Sequence, residues 1–272
     1  MVDFIIWNTN SVAFHIGSLG IKWYGILLAT GFFLSYLTLR KIFKYEKISQ
    51  DILDNFAIWT VLWTVIGLRL GHILFYEPAY YFSHPAEIFM VWKGGLASHG
   101  ATIAIIIFIF YFTRKNKIPA LWLFDRMAIG IPIAATFVRI GNLMNSEIIG
   151  TQTNVPWAFV FTSEDMLPRH PSQLYEALVY LTLYSFLIFY YLKLKGKIPA
   201  GRIVGLMLTI IFTARFFIEF IKDVQVNFEK NMTLNMGQLL SIPFIIVGCL
   251  LLIYSFRTKS IPEFISKNQL KK

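Results

Sequence analysis

The 272-residue chain is 56% hydrophobic, 17% aromatic and only 15% charged, with a formal net charge of +10. A soluble fold carries about 25% charged residues and a disordered chain is poor in apolar ones, so this balance excludes both and leaves a polytopic membrane protein. A mean hydropathy of +0.60 agrees, and at about 20 residues per crossing there is room for at most roughly eight spans and no large extramembrane domain.

The N-terminal stretch MVDFIIWNTNSVAFHIGSLG has neither a basic start nor a small-residue cleavage site. It reads as an amphipathic segment held at the interface and retained, not as a signal peptide. Seven apolar runs follow, at 21–39, 54–76, 97–113, 121–145, 172–192, 203–222 and 236–256, each predicting a membrane helix. The third is short, and the fourth contains Pro132, which predicts a kink. The aromatic-rich segment 77–96 is expected to lie along the outer interface as an arm flanking lipid entry, and 146–171 to form a small periplasmic head. Cys249, the single cysteine, sits in the run GCLLLIY and is expected to be a buried packing residue. It offers no disulfide and no cysteine metal site. The predicted fold is all-α, one integral membrane domain over 1–272.

Lysine and arginine fall unevenly between the loops. One alternate set, with the C-terminal tail, holds sixteen of them and the opposite set five. The positive-inside rule then places the C-terminus in the cytoplasm and the N-terminus in the periplasm, as seven crossings require. The +10 is therefore a topology signal and makes no case for nucleic acid.

Four arginines remain, and Arg126, beside Asp125 at the cytoplasmic start of the fourth predicted helix, is expected to snorkel or pair locally. At 1.5 Å per residue Arg139 lies roughly 27 Å along that helix, Arg215 about 18 Å into the sixth and Arg69 about 22 Å into the second. Tyr24 and His99 begin helices that enter from outside. All of these polar groups thus fall in the outer half of the membrane, which predicts a cavity open to the outer leaflet. Arg139, Asn142 and Ser146 share a helix face, with Asn145 and Glu147 beside them. Arg215 and Glu219, four apart, are expected to pair, and Arg69, His72 and Tyr76 form another stripe. Arginine in hydrocarbon is costly and usually functional, and its planar fork fits phosphate, so an anionic phospholipid head group is the natural ligand.

Absent motifs narrow the chemistry. There is no G-x-S-x-G elbow, no H-E-x-x-H, and no Asp-rich cluster at membrane depth. An enzyme built this way works without a metal, a cofactor or a covalent nucleophile of its own.

The stretch VRIGNLMNSEIIGTQTNVPWAFVF (138–161) resembles the signature of prolipoprotein diacylglyceryl transferases. The family pattern R-I-G-N-x-x-N-x-E-x-x-G is matched by Arg139, Gly141, Asn142, Asn145, Glu147 and Gly150. WYG at 23–25, GGLASHGA at 94–101, HPSQLYE at 170–176 and RFFIEF at 215–220 extend the likeness, in the family's order, over residues 23–220. The departures are Val138, Ser146 and Ala101, where the family usually has glycine, and Leu143, where it has an aromatic; none removes a polar group.

The resemblance implies transfer of the diacylglyceryl group of phosphatidylglycerol to the thiol of the lipobox cysteine in a prolipoprotein signal peptide. A thioether forms and glycerol 1-phosphate leaves. The site would face the outer leaflet of the bacterial cytoplasmic (inner) membrane, among membrane lipids. Because the nucleophile belongs to the substrate, the missing motifs cease to be a puzzle. On this reading Arg139 and Arg215 take the phosphodiester, Asn142 and Asn145 position it, and Glu219 orients Arg215. His99 is the candidate base or electrostatic activator of the thiol, with bound water and arginine electrostatics as open alternatives. Tyr24 orients the head group, Glu147 stands beside the asparagines, and Gly150 permits a close backbone turn. His72, Arg69, His170, Gln173 and Glu176 are expected to be supports or gates. A phospholipid flippase using the same arginines is the competing class, disfavoured because the polar residues stop near the midplane.

Overall fold

The computed structural model describes residues 4–90, 94–224, 229 and 232–258. Its α-helices are α1 (Trp23–Tyr45), α2 (Gln50–Phe75), α3 (Pro78–Ser83), α4 (Ser98–Lys115), α5 (Ala120–Met144), α6 (Ser172–Lys193), α7 (Arg202–Ile218) and α8 (Met236–Arg257). Each expected span has its helix, and the chain is an all-α polytopic membrane protein. Among the described residues six helical stretches are long and apolar enough to cross a membrane: α1, α2, α5, α6, α8, and α7 with the 3₁₀ turn that carries it to Ile221. The 18-residue α4 is about 27 Å long at 1.5 Å per residue. Large apolar side chains such as Phe33, Leu62, Phe189 and Leu250 face outward, as a hydrocarbon solvent favours.

The helices stop by one recurring device. At the ends of α1, α4 and α6 a lysine takes a left-handed conformation, Lys47 (φ 58°), Lys117 (φ 55°) and Lys195 (φ 50°). The next residue then donates its N–H back to the helix, as in Ile48 N to Phe43 O at 2.9 Å and Ile118 N to Thr113 O at 2.9 Å. This closes the orphan carbonyls of the last turn, and the basic side chains oppose the negative end of the helix dipole. Lysines of the set that the loop count assigns to the cytoplasmic side therefore also terminate helices. At the start of α7 the cap comes from another helix. The buried Asp125 carboxylate of α5 accepts Gly201 N at 2.8 Å and Val204 N at 3.0 Å, while Arg126, itself buried, donates to Gly196 O. Local pairing describes this end of α5, and snorkelling does not.

By packing, the described residues divide into two compact units, one drawn from residues 4–41 and from those after Leu123, the other from Ile42–Leu123. Within the second, α2 and α4 meet through small residues: a methyl on Gly71 would lie 2.6 Å from Gly100 Cα, and one on Gly67 2.5 Å from Ala104 Cβ. Lipid tails give helices no hydrophobic reason to associate, so such close backbone approach supplies the attraction. In the first unit Gly31 meets Ala134 and Phe137, and Gly205 meets Gly248, in the same way.

The sequence reading is revised at Cys249, and the N-terminal stretch holds strands that the apolar runs did not predict. There β1 (Ile5–Trp7) runs parallel to β4 (Phe159–Phe161), which pairs antiparallel with β5 (Pro168–Arg169), and β2 (Val12–Ile16) with β3 (Leu19–Lys22) forms a hairpin. Its β-branched and aromatic content fits a pleated surface, and the sheet partners lie about 150 residues away in sequence. Cys249 is exposed rather than buried, because α8 is apolar all round and turns that side outward. Pro132 lies inside α5, where Thr136 Oγ1 donates to Pro132 O at 2.9 Å.

Candidate active site

The last turn of α5 sets the geometry. Ser146 adopts φ 55°, Ser146 N donates to Leu143 O at 3.0 Å, and Glu147 N donates to Asn142 O at 2.9 Å. This paired closure turns the chain back on its own helix end. The left-handed conformation puts some backbone strain on a residue with a Cβ. It also brings the Glu147 carboxylate onto the two asparagines, accepting from Asn142 Nδ2 at 3.0 Å and Asn145 Nδ2 at 3.1 Å. Gln173 Nε2 donates to Glu147 O and Ser172 Oγ to Ile148 O, both at 2.6 Å, tying this turn to the start of α6. Leu143 fills an apolar core with Phe159 and Phe161, and Trp7 Nε1 caps its carbonyl at 3.0 Å.

Behind the turn lies a buried chain of charges. Arg139 Nε lies 2.7 Å from Glu176 Oε2, and Arg139 Nη1 donates to Asn142 Oδ1 at 3.3 Å. Glu176, fully buried, also receives Lys222 Nζ at 3.1 Å, and Lys222 in turn holds Glu219 Oε2 at 3.0 Å. Two cations thus alternate with two carboxylates, so neither sign is left unbalanced in a dry setting. Tyr180 OH reaches Glu176 Oε1 at 3.5 Å and feels the charges of both Arg139 and Arg215. The side chain of Arg215, half-buried on α7, makes no hydrogen bond or ion pair among the described residues.

The expected Arg215–Glu219 pair is therefore not formed. Helix α7 ends at Ile218, and Glu219 opens a 3₁₀ turn. Its carboxylate lies instead on Lys222 and against Gly237 of α8, where a methyl would come within 2.5 Å of Glu219 Oε1. Lys222, which the sequence reading counted only as a loop charge, is 7% exposed and central. Its signal was present as a cation three residues after Glu219. Glu176, expected to be a support, is the hub.

Gly150 serves close approach without a left-handed turn. Gly150 N donates to His170 O at 2.9 Å and Thr151 N to Ile221 O at 2.8 Å, and a methyl on Gly150 would lie 2.5 Å from His170 Cβ. The segment is thereby stitched between the α6 entry and the α7 exit. Gly141 is needed for Tyr24, whose Cδ2 would lie 2.9 Å from a methyl there. In the head, Arg169 binds Asp165 at 2.5 Å and Asp223 at 2.8 Å. This holds the Asp165 carboxyl below its usual range and raises the Arg169 guanidinium, while burial lowers His170. A cleft of about 550 Å³ beside Glu147, Glu164 and Asp223 is acidic and disfavours phosphate.

The second unit carries Arg69, His72 and His99. Arg69 is 3% exposed and donates Nε to Ile88 O at 2.9 Å, Nη1 to Gly94 O at 2.7 Å and Nη2 to Glu87 O, with its plane over Tyr81. It clamps the segment after α2 back onto that helix. Gly95 (φ 72°) is required there, since a methyl would lie 2.6 Å from His72 Cδ2. His72 stacks on Tyr76 and lies 3.8 Å from Glu77 Oε2. His99, exposed at the start of α4, rests its ring against Phe75 and Tyr76. Among the described residues no group of three or more His, Cys, Asp or Glu is placed to hold a metal.

A membrane-embedded helical bundle with a network of arginine, lysine and glutamate drawn into its interior has the build of an integral-membrane enzyme. Residues 11–254 match the family described as prolipoprotein diacylglyceryl transferase. The chain is 42% identical over 256 residues to a phosphatidylglycerol–prolipoprotein diacylglyceryl transferase of Chloroherpeton thalassium, covering 94% of this chain and 96% of that one. It is 43% identical over 269 residues to one of Bacteroides fragilis (94% and 97%) and 41% over 259 residues to one of Tolumonas auensis (94% and 99%). The chain belongs to the prolipoprotein diacylglyceryl transferase family and is a transferase.

Proposed function

We propose that this protein moves the diacylglyceryl group of phosphatidylglycerol onto the lipobox cysteine of a prolipoprotein signal peptide. The cysteine thiolate attacks the glycerol carbon that carries the phosphodiester. The carbon–sulfur bond forms as the carbon–oxygen bond breaks, and glycerol 1-phosphate leaves with the electron pair. Two tasks fall to the protein: stabilising the departing phosphate and favouring thiolate over thiol, whose ordinary pKa is about 8.5.

The observation that carries this reading is Arg215, a guanidinium on an apolar helix whose fork is uncommitted among the described residues, while Arg139 is fixed by Glu176. Arg215 takes the phosphodiester oxygens bidentately and Arg139 adds its remaining donors. Asn142 and Asn145, oriented through Glu147, set the position of the glycerol phosphate, Tyr24 offers its hydroxyl to the head group, and Gly150 fixes the wall. His99 is the base or electrostatic activator of the thiol, its exposed ring free of intramolecular hydrogen bonds among the described residues. In this reading α4 is a seventh crossing beside the six long apolar helices, and the loop charges then favour a periplasmic N-terminus, a cytoplasmic C-terminus and a site on the outer leaflet of the inner membrane. A flippase gains no support, because the buried polar groups at the other end of α5 are committed to capping α7.

The test is direct. Purified protein, phosphatidylglycerol and a lipobox peptide should yield the diacylglyceryl mass on cysteine. Absence of product, or product undiminished in both Arg139→Ala and Arg215→Ala, overturns the proposal.

A further inference from the structure

We infer that Lys222 is a positioning residue for this reaction: it draws the Glu219 carboxylate away from Arg215 and so leaves that guanidinium open for the phosphodiester. The inference rests on the role proposed above for Arg215. Glu219 and Arg215 are four residues apart, the spacing at which a helix pairs opposite charges. They do not pair, although at membrane depth an unpaired arginine is costly and a nearby carboxylate is its natural partner. What prevents it is visible. Lys222 Nζ holds Glu219 Oε2 at 3.0 Å and is anchored from the other side by Glu176 Oε1 at 3.1 Å. The backbone keeps the helical register through Glu219, whose N–H still donates to Arg215 O, so it is the hold on the carboxylate by Lys222, carried there by the 3₁₀ turn Glu219–Ile221, that keeps it from Arg215. Helix α8 completes the hold. Asn235 begins it with reciprocal caps to Gln238, and Gly237 in its first turn leaves room for the Glu219 carboxylate at the positive end of the helix dipole. A side chain at Gly237 would push that carboxylate out.

Remove the Lys222 charge and Glu219 becomes a buried anion with one strong partner left in reach, Arg215. The pair that forms then competes with the lipid phosphate. The lesion is in substrate binding, and it depends on Glu219 being charged.

The experiment compares four full-length variants in the lipobox-peptide assay at varied phosphatidylglycerol, with thermal melts of each. Lys222→Met should raise KM for phosphatidylglycerol about tenfold or more with a smaller fall in kcat, the signature of lost ground-state binding. Adding Glu219→Gln to Lys222→Met should recover most of that loss, because a neutral amide cannot neutralise Arg215. Lys222→Arg should hold KM within about threefold, since a guanidinium serves Glu219 equally well. Arg215→Ala marks the reading beneath: if it leaves KM unchanged, Arg215 does not bind the phosphate and the proposed site fails with it. If Arg215→Ala does raise KM but Lys222→Met does not, or Glu219→Gln gives no recovery in a variant that melts like the parent, the positioning role alone is overturned. A Lys222→Met protein too unstable to assay is judged on Lys222→Gln, with the same expected recovery.

Discussion

Glu176→Gln is the sharpest perturbation of the buried charge chain. Glu176 is fully buried and serves two cations at once, Arg139 at 2.7 Å and Lys222 at 3.1 Å. The amide keeps the shape and one acceptor but removes the charge that both cations share. Deleting one partner of a buried ion pair costs about 3–5 kcal/mol, because the remaining charge is left uncompensated. Lys222 retains Glu219, so the lower end applies, and about 3 kcal/mol lowers the apparent melting temperature by roughly 10 °C for a chain of this size.

The assay is thermal unfolding of the detergent-solubilised protein followed by tryptophan fluorescence, run as a double-mutant cycle with Lys222→Met. With both groups removed, Lys222 no longer needs the charge that Glu176 lacks. The two losses should therefore fall short of additivity by about 1 kcal/mol or more. Losses that add to within about 0.5 kcal/mol, or a single variant that melts with the parent, would refute the shared-charge account.

Other consequences are as concrete. Ser146→Gly should stabilise the protein by about 0.5–1 kcal/mol in the same melt, since Ser146 sits at φ 55° with no Cβ benefit, whereas Ser146→Val should destabilise it. Gly95→Ala should release the segment after α2, adding a left-handed penalty of about 1–2 kcal/mol to the clash with His72; limited proteolysis within 77–90 reads it. The head should loosen in acid. Asp165 and His170 both have lowered folded pKa values, so each contributes stability that is complete above its unfolded pKa and lost as pH falls through the folded one. Loss should begin below about pH 6.5 from His170 and deepen below about pH 4 from Asp165, and His170→Asn should abolish the upper step in hydrogen exchange of 146–171. Arg69→Lys should lower the melt with little change in KM for phosphatidylglycerol, because one ammonium cannot reach the diverging carbonyls of Ile88, Glu87 and Gly94.

The spans were legible because apolar length is nearly the whole specification of a membrane helix. The predicted 172–192 and 236–256 became Ser172–Lys193 and Met236–Arg257. The strands were not legible, since β1 pairs with residues some 150 positions away and each strand is only a few residues long. At the site, helical spacing correctly grouped Arg139 with Asn142 and placed Glu147 beside Asn145. It failed at Glu219, where the backbone keeps the i, i+4 register with Arg215 but the 3₁₀ turn that follows brings Lys222 back onto the carboxylate. Lys222 escaped for a related reason. Loop counting treats every lysine beyond a span as solvated, and only the return of α6 and α8 against that turn buries this one.

Depth in the membrane did not by itself sort the arginines by task; the state of their donors does. Arg69 lies in an apolar helix, carries no carboxylate, and is nonetheless structural, because every nitrogen of its guanidinium is already on a backbone carbonyl. It offers no open fork to a phosphate. Arg139 has given its Nε to Glu176 and one Nη to Asn142, so it can add a contact but cannot supply the main bidentate one. Arg215 has given nothing among the described residues, and the groups that would have claimed it are held elsewhere. Leaving a guanidinium unsatisfied at that depth lowers stability, and the surrounding chain of Arg139, Glu176, Lys222 and Glu219 is built at further cost to maintain it. An incoming anion would complete the arrangement, so the proposed site puts the phosphodiester on Arg215 first and on Arg139 second.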